Sequence, residues 1–500
     1  EDVTNVDSVG IITARAGIVV SAGVVTVTDG YIDVSDSVRN TSIGSNAGDS
    51  FDGTNATDNT LIGYDAGTAI TTGDANTAVG SYALDANTTA SNNTAVGRAA
   101  LTANTTGGDN TSVGKDVLGN NTTGDNNTAV GSLALDANTT ASNSTAVGYN
   151  ALGANTTGAS NTALGVAALA ANETANGNTA VGYQALTANT TGTVNVAVGH
   201  NSLLANTTAS NNTAVGQNTL AANTTGANNA ALGRSALAAN TTGDQNTAVG
   251  AYALDANTTA DYNDAFGYET LTDNTTGSQN CAFGWQTLKE NTTANGNSGF
   301  GYATLWLNTT GANNSAFGNS TLQQATTASD NVAVGAYALT AATTGGYNTA
   351  VGKDALKANT TGTYNTGIGI DALTANTTAS ENTALGFQSL MANSTGAYNT
   401  AIGGNALKSN TTASNNTAVG DDCLRANTTG TVNVAVGNAA LYTNTTASYN
   451  TAVGNSALYT STGEKNTAIG YFALVNNTSA SYNTAVGNAA LQANTTGAYN

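Results

Sequence analysis

Few side chains in this chain could do chemistry. His200 is the single histidine of 500 residues. An imidazole acts as a general base or metal ligand only when partners hold it, and no Ser-His-Asp or Cys-His set can be assembled around this one. It stands at a variable place in a seventeen-residue unit that recurs along the chain, so it reads as a solvent-facing loop residue. Asp85, Asp136 and Asp255 each follow the unit's leucine. They could line a weak cation site, but a solvated edge is the simpler reading. Cys281 replaces the opening threonine of its unit, and Cys423 replaces the alanine before the leucine. At about 4.8 Å per stacked strand they would lie roughly 40 Å apart, beyond disulfide reach. A Walker loop, a Cys-x-x-Cys pair, a His-Glu-x-x-His motif and the Gly-rich calcium nonapeptide are all missing. The sequence therefore predicts no catalytic residue, no metal site and no cofactor.

Two other residue classes matter more. Asn-Thr-Thr, which matches the N-glycosylation sequon, recurs in almost every unit. Simple turn chemistry is the plainer reading, and the sequon matters only if the host glycosylates exported Asn. Tyr149, Tyr183, Tyr268, Trp285, Tyr302 and Tyr471 follow the unit's glycine, while Tyr262, Tyr347, Tyr364, Tyr398, Tyr449, Tyr482 and Tyr499 directly precede its first asparagine. Stacked units would line these rings into stripes. Such stripes are candidate surface-binding aromatics for sugars or proteins, or else cover turns and fill gaps between protomers.

The element that must position them is the repeat, Asn-Thr-Ala-Val-Gly-x-x-Ala-Leu-x-Ala-Asn-Thr-Thr-Gly/Ala-x-x. It runs in 25 copies from Asn76, with rougher copies at Asn40 and Asn59 and one copy, at Asn450, a residue short. A period this short and faithful means a stacked array rather than a globular enzyme. Thr-Ala-Val-Gly predicts a short strand, with Thr and Val on one face and Ala on the other. The x-x-Ala-Leu segment predicts a second short strand or extended piece, and Ala-Asn-Thr-Thr-Gly a turn in which Asn and Gly tolerate positive φ. A helix over Tyr183–Asn189 is the alternative, but one of that length is marginal alone. Val79, Val96, Val130 and Val181 are expected to form one buried column, and Leu84, Leu101, Leu135 and Leu186 another. The fold class is thus all-β, a parallel β-roll or β-solenoid of 17-residue coils. Residues 1–39, with the β-branched run Gly10–Val20, predict an irregular N-terminal β module. Residues 40–75 hold imperfect repeats, and 76–500 are the regular array.

Composition agrees. Proline is absent, where average usage of about 5% predicts roughly 25. Proline lacks the N–H that a continuous ladder needs. Only 8% of residues are charged, and the net charge of −20 excludes a nucleic-acid binder, which needs a basic stripe. No run of 18 apolar residues predicts a membrane span. The chain starts at Glu1 without a signal peptide and stops at Asn500, which opens another unit, so a fragment or processed chain is expected.

A single roll of this repeat buries few large side chains per coil. Three rolls side by side would cover its second face, which predicts a parallel homotrimer. Asn76-Thr77-Ala78-Val79-Gly80 and its copies resemble the Asn-Ser-x-Ala-Ile-Gly signature of trimeric autotransporter adhesin heads, trimers of left-handed parallel β-rolls. The longer turn here departs from that pattern and leaves handedness open. The 17-residue unit is also similar to arrays in bacteriophage tail fibres and other viral appendages, and Asn5–Arg15 is similar to segments of structural proteins from phages of marine cyanobacteria. These resemblances imply a stiff, surface-exposed fibre for attachment, carried on a virion or an extracellular surface. Its expected partners are copies of itself and a host-surface glycan or protein receptor. The alternatives are a bacterial adhesin head that itself binds host ligands and, because Thr pairs recur every coil, an ice-binding solenoid.

Overall fold

The computed structural model describes residues 38–51 and 55–500. The expected N-terminal module, apart from its last two residues, lies outside them.

Each unit contributes one strand of three residues, from β1 (Thr41–Ile43), β2 (Thr60–Ile62) and β3 (Thr77–Val79) to β27 (Thr484–Val486). Successive strands pair in parallel to give one 27-stranded sheet. The register is strict: Thr77 lies opposite Thr94, Ala78 opposite Ala95 and Val79 opposite Val96. The described chain is an all-β parallel solenoid with no helix among the described residues. Two coils depart from 17 residues. The first spans 19 (Asn40 to Asn59) and the one opening at Asn450 spans 16, yet both keep the register.

The strand ends after three residues because of the glycine that follows. Gly80 has φ +140°, and a Cβ there would lie 2.4 Å from the carbonyl oxygen of Gly97 in the next coil. Both the conformation and the stacking distance reject a side chain. Coil-to-coil hydrogen bonding continues beyond the strand. Tyr82 N–H donates to Tyr64 O, Leu84 N–H to Ala100 O, Ala86 N–H to Thr102 O and Asn92 N–H to Asp74 O. Donors at most places round the coil are in use, and those places exclude proline.

Alternation along the strand places Ala inward and Thr and Val outward. Ala78, Ala83 and Leu84 are fully buried, as are Leu101, Leu135 and Leu186. The valines correct the expectation: Val79, Val96, Val130 and Val181 are only half-buried and lie on the outer face. Where leucine fills the ninth place the interior leaves room only for a small inward residue; Leu61 sits inward and fully buried in the coil where Gly67 stands at the ninth place instead. Gly367 replaces the inward alanine in its coil, and a methyl added there would already sit 3.3 Å from Leu356 Cγ.

The x-x-Ala-Leu segment is a turn, not a second strand. Its seventh and ninth residues are left-handed: Tyr82 at φ 62° and Leu84 at φ 53°. A β-branched residue fits that region badly, whereas leucine branches one carbon later. This explains why the ninth residue is Leu in every copy from Leu84 to Leu491, and why no Val, Ile or Thr occupies the seventh from Tyr82 to Ala489. The asparagine of Asn-Thr-Thr is not at positive φ as expected. That role falls to the last residue of the unit, such as Asn92 at 63°.

Two columns of buried asparagine complete the interior. In the first, Asn93 N–H donates to Asn76 Oδ1 at 3.0 Å, while Asn93 Nδ2 donates to Gly107 O at 3.0 Å. In the second, Asn104 Nδ2 donates to Asn87 Oδ1 at 3.2 Å and to Gly107 O at 2.9 Å. Each amide therefore bonds both its own coil and a neighbour, which satisfies a polar group that burial would otherwise penalise. The first threonine of the turn adds a third cross-coil bond, Thr88 Oγ1 to Thr105 O at 3.2 Å.

Candidate functional site

The outer face of the sheet is the candidate site. Each coil presents four outward positions there: the residue before the first asparagine, then Thr, Val and the residue after glycine. Vertical stacking turns each position into a column. The valine column is apolar in every coil from Ile43 to Val486, holding only Val, Ile, Leu or Phe.

The six candidate aromatics after the glycine are all exposed, from 40% for Trp285 to 56% for Tyr149. The structure does not join them into one stripe. Trp285 stacks on Tyr302 with centroids 4.7 Å apart and planes 6° from parallel. Tyr268 meets Tyr252 edge-on, Tyr183 stacks on His200 at 5.2 Å, and Tyr471 leans on its chain neighbour Phe472. Tyr149 has no ring partner among the described residues. The column is aromatic in three successive coils only between Tyr268 and Tyr302.

Beside those three rings runs a ladder that sequence reasoning did not single out. Phe266, Phe283, Phe300 and Phe317 stack at 4.4, 4.9 and 4.8 Å, each pair within 6° of parallel. The signal was four consecutive phenylalanines in the valine column. Rings stacked this closely cover one another's faces and turn their edges outward. Next to them, Glu269 accepts hydrogen bonds from Lys289 Nζ at 2.6 Å and Gln286 Nε2 at 2.7 Å. The bonds from Lys289 and then Tyr268 hold its carboxyl down at about 2.

Asp85, Asp136 and Asp255 stand coils apart and are not brought together. Burial pushes each carboxyl up, aided at Asp136 by Asp116 and at Asp255 by Asp273. No cluster of three metal-ligating side chains occurs among the described residues. His200 is exposed against Tyr183. Cys281 is half-buried on the outer face, while Cys423 is fully buried and burial pushes its thiol up to about 11. The Asn-Thr-Thr asparagines, such as Asn87 and Asn104, are 0% exposed with Nδ2 engaged in the ladder. A glycan on that nitrogen is incompatible with the coil. Among the described residues no helix is long and apolar enough to cross a membrane.

No protein-family model matches this chain, and no curated protein matches it.

Proposed function

We propose that this chain is a structural fibre shaft, from a phage tail fibre or a similar surface appendage, that serves host attachment as a parallel homotrimer. The observation that carries the reading is the valine column. An outward position escapes the packing limits of the interior, yet this one is apolar in all 27 strands. The neighbouring outward position, after the glycine, holds Ser, Arg, Lys, Tyr and Asn in different coils. A position so restricted on the outside is covered by something of the same length. With about 4.8 Å per strand the face is roughly 125 Å long, and about 13 Å wide from the threonine column to the column after the glycine. That offers on the order of 1,600 Å² per protomer, against about 800 Å² per partner in a standard interface. A matching column on an aligned copy is the simplest cover, and three copies close around one axis. Such a rod would space a host-binding tip from its base.

The test is native mass spectrometry and small-angle scattering of the chain and of a Val130→Lys/Val147→Lys/Val181→Lys variant. A trimeric rod of roughly 130 Å that falls apart in the variant supports the reading. A monomer, or a trimer indifferent to the three lysines, refutes it. A second reading, an adhesin head whose flank binds a host glycan or protein receptor, is favoured by the aromatic cluster of Phe266–Phe317 and Trp285–Tyr302. The ice-binding alternative is weaker. One threonine of each pair uses its hydroxyl on the next coil's carbonyl, and the 16-residue coil at Asn450 holds Thr462 alone in place of the pair.

A further inference from the structure

The column formed by the last residue of each unit lies at the margin of the outer face, two outward positions from valine and roughly 13 Å from it. In this column the sequence twice places tyrosines two coils apart around a charged residue. One set is Tyr449, Lys465 and Tyr482, and the other is Tyr364, Glu381 and Tyr398. All six share one left-handed backbone conformation, with φ between 56° and 63°. Their side chains therefore leave the coil in the same direction.

The first set shows what this geometry accommodates. Lys465 Nζ lies 4.8 Å from the centroid of the Tyr482 ring and donates a hydrogen bond to its hydroxyl at 2.8 Å. The chain thus supplies its own ammonium to the Tyr482 ring and hydroxyl. In the second set the middle residue carries the opposite charge. Glu381 is exposed, and its carboxylate makes no hydrogen bond or ion pair among the described residues. Below it, Tyr364 is already stacked on Tyr347 at 5.0 Å, which covers one face of the Tyr364 ring and leaves the other toward Glu381. A surface cleft of about 460 Å³ lies here, lined by Tyr364, Glu381 and Thr383. Tyr398 stands one coil beyond. Two coil rises separate Tyr364 from Tyr398, roughly 9.6 Å. The Glu381 side chain occupies the level between them, so a cation paired with its carboxylate would lie about 4.8 Å along the axis from each ring's level, inside the reach of about 6 Å for a cation–π contact.

We propose that the Tyr364–Glu381–Tyr398 cleft binds an organic ammonium group, such as a quaternary ammonium head group or a lysine side chain of another molecule. The two rings supply cation–π attraction and the Glu381 carboxylate supplies the counter-charge. The proposal does not rest on the fibre reading, and its column lies outside the strip from threonine to the residue after glycine that a partner copy would cover.

The test is ligand-observed NMR titration of the full chain with choline chloride and, separately, with N-acetyl-lysine amide. The neutral choline isostere 3,3-dimethylbutanol serves as control. Saturable binding in the millimolar range is expected for at least one ammonium probe and not for the alcohol. Glu381→Lys, which recreates the self-filled set, should abolish it. Tyr364→Ala should weaken it about two- to fivefold, the loss of one exposed cation–π contact. Hydrogen exchange of the adjacent coils should be the same in all forms. Absence of saturable binding of both ammonium probes, equal binding of the alcohol, or binding unchanged in Glu381→Lys would each overturn the proposal.

Discussion

The second asparagine ladder is interrupted at two successive coils, where its place is taken by Ala325 and Ala342, both fully buried. The break leaves a mark below it: Asn308 Oδ1 is buried with no hydrogen-bond partner. Above it, Asn359 Nδ2 bonds only Gly362 O and lacks the cross-coil acceptor of its counterparts. The Ala325→Asn/Ala342→Asn variant should repair the ladder. The amide introduced at position 325 would donate to Asn308 Oδ1 and to Ala328 O. The amide at position 342 would donate to the oxygen of the one at 325 and to Gly345 O, and Asn359 Nδ2 would donate to the oxygen of the one at 342. Each of these five bonds contributes about 1 kcal/mol, and giving Asn308 Oδ1 a partner removes a penalty of about 1 kcal/mol more. Against this stands side-chain ordering, about 1 kcal/mol at each of the two sites. Two backbone bonds special to these coils, Ala328 N–H to Thr343 O and Gly345 N–H to Thr360 O, both 3.2 Å, would also be lost. They cost about 1 kcal/mol each, which leaves a net stabilisation of about 2 kcal/mol. The same amide is housed in most other coils, so the shape is one the roll already accepts. Because the array is quasi-one-dimensional, the gain is local, and native-state hydrogen exchange is the assay. Amides between Asn297 and Asn365 should exchange about 30-fold more slowly. The single variant Ala325→Asn should gain less, because its Oδ1 would have no donor above. Faster exchange in the double variant, or equal gains from single and double, would refute the ladder as a source of stability.

Four further outcomes follow from the same geometry. Leu→Ile at Leu186, Leu203, Leu220 and Leu237 should cost about 1–2 kcal/mol per site beyond Leu→Met at the same sites, because isoleucine is strained at positive φ; denaturation midpoints compare the two, and an equal effect would show that only volume matters. Val194 and Val432 are the β-branched exceptions in the left-handed last position, at φ 57° each, so Val→Asn there should slow local hydrogen exchange by about 1 kcal/mol of stability. Glu269 has a carboxyl held at about 2 against an ordinary 4.5, so its contribution is complete above pH 4.5 and fades as pH falls toward 2; Glu269→Gln should flatten that part of the acid stability profile around coils 263–297, and an unchanged profile would contradict the Lys289 bridge. On the native monomer a maleimide should label Cys281, which the proposed trimer would cover, and reach Cys423 only after denaturation, which intact-mass measurement before and after guanidinium would show.

The period, the parallel stacking and the leucine column could be read from the sequence, because identical side chains at one spacing hardly arise except by stacking. What could not be read was which side of the strand faces in. Thr-Ala-Val shows alternation, and hydrophobicity alone would put valine inside. The roll is narrower than that rule assumes, and its inner wall takes a methyl group against leucine and amides. Asparagine misled for a related reason. In isolation Asn-Thr-Thr is turn chemistry, and only the next coil's Oδ1 makes it interior. The aromatic stripes were legible as columns but not as contacts, since a ring stacks only where the adjoining coil also carries one, as at Trp285 and Tyr302.

The variation among copies sorts by physical cause once the coil is known. Inward positions are restricted by volume and by the amide ladders. The seventh and ninth positions are restricted by φ, and the glycine by both φ and the carbonyl stacked on it. The missing residue of the coil at Asn450 falls in the outer turn, far from the sheet, and that coil also exchanges the ladder asparagine for Ser461. Ser461 turns its hydroxyl toward its own coil, at Gly463, and leaves Asn444 Oδ1 without a partner. The strands on either side still pair Thr451 with Thr467 and Val453 with Ile469. The outer sheet face is therefore maintained where the turn shortens and the ladder loses its bond to Asn444, while Asn477 Nδ2 still donates to Ser461 Oγ at 3.2 Å. The apolar match at that level, Val453 beside Ile469, is what the proposed cover against the sheet would require.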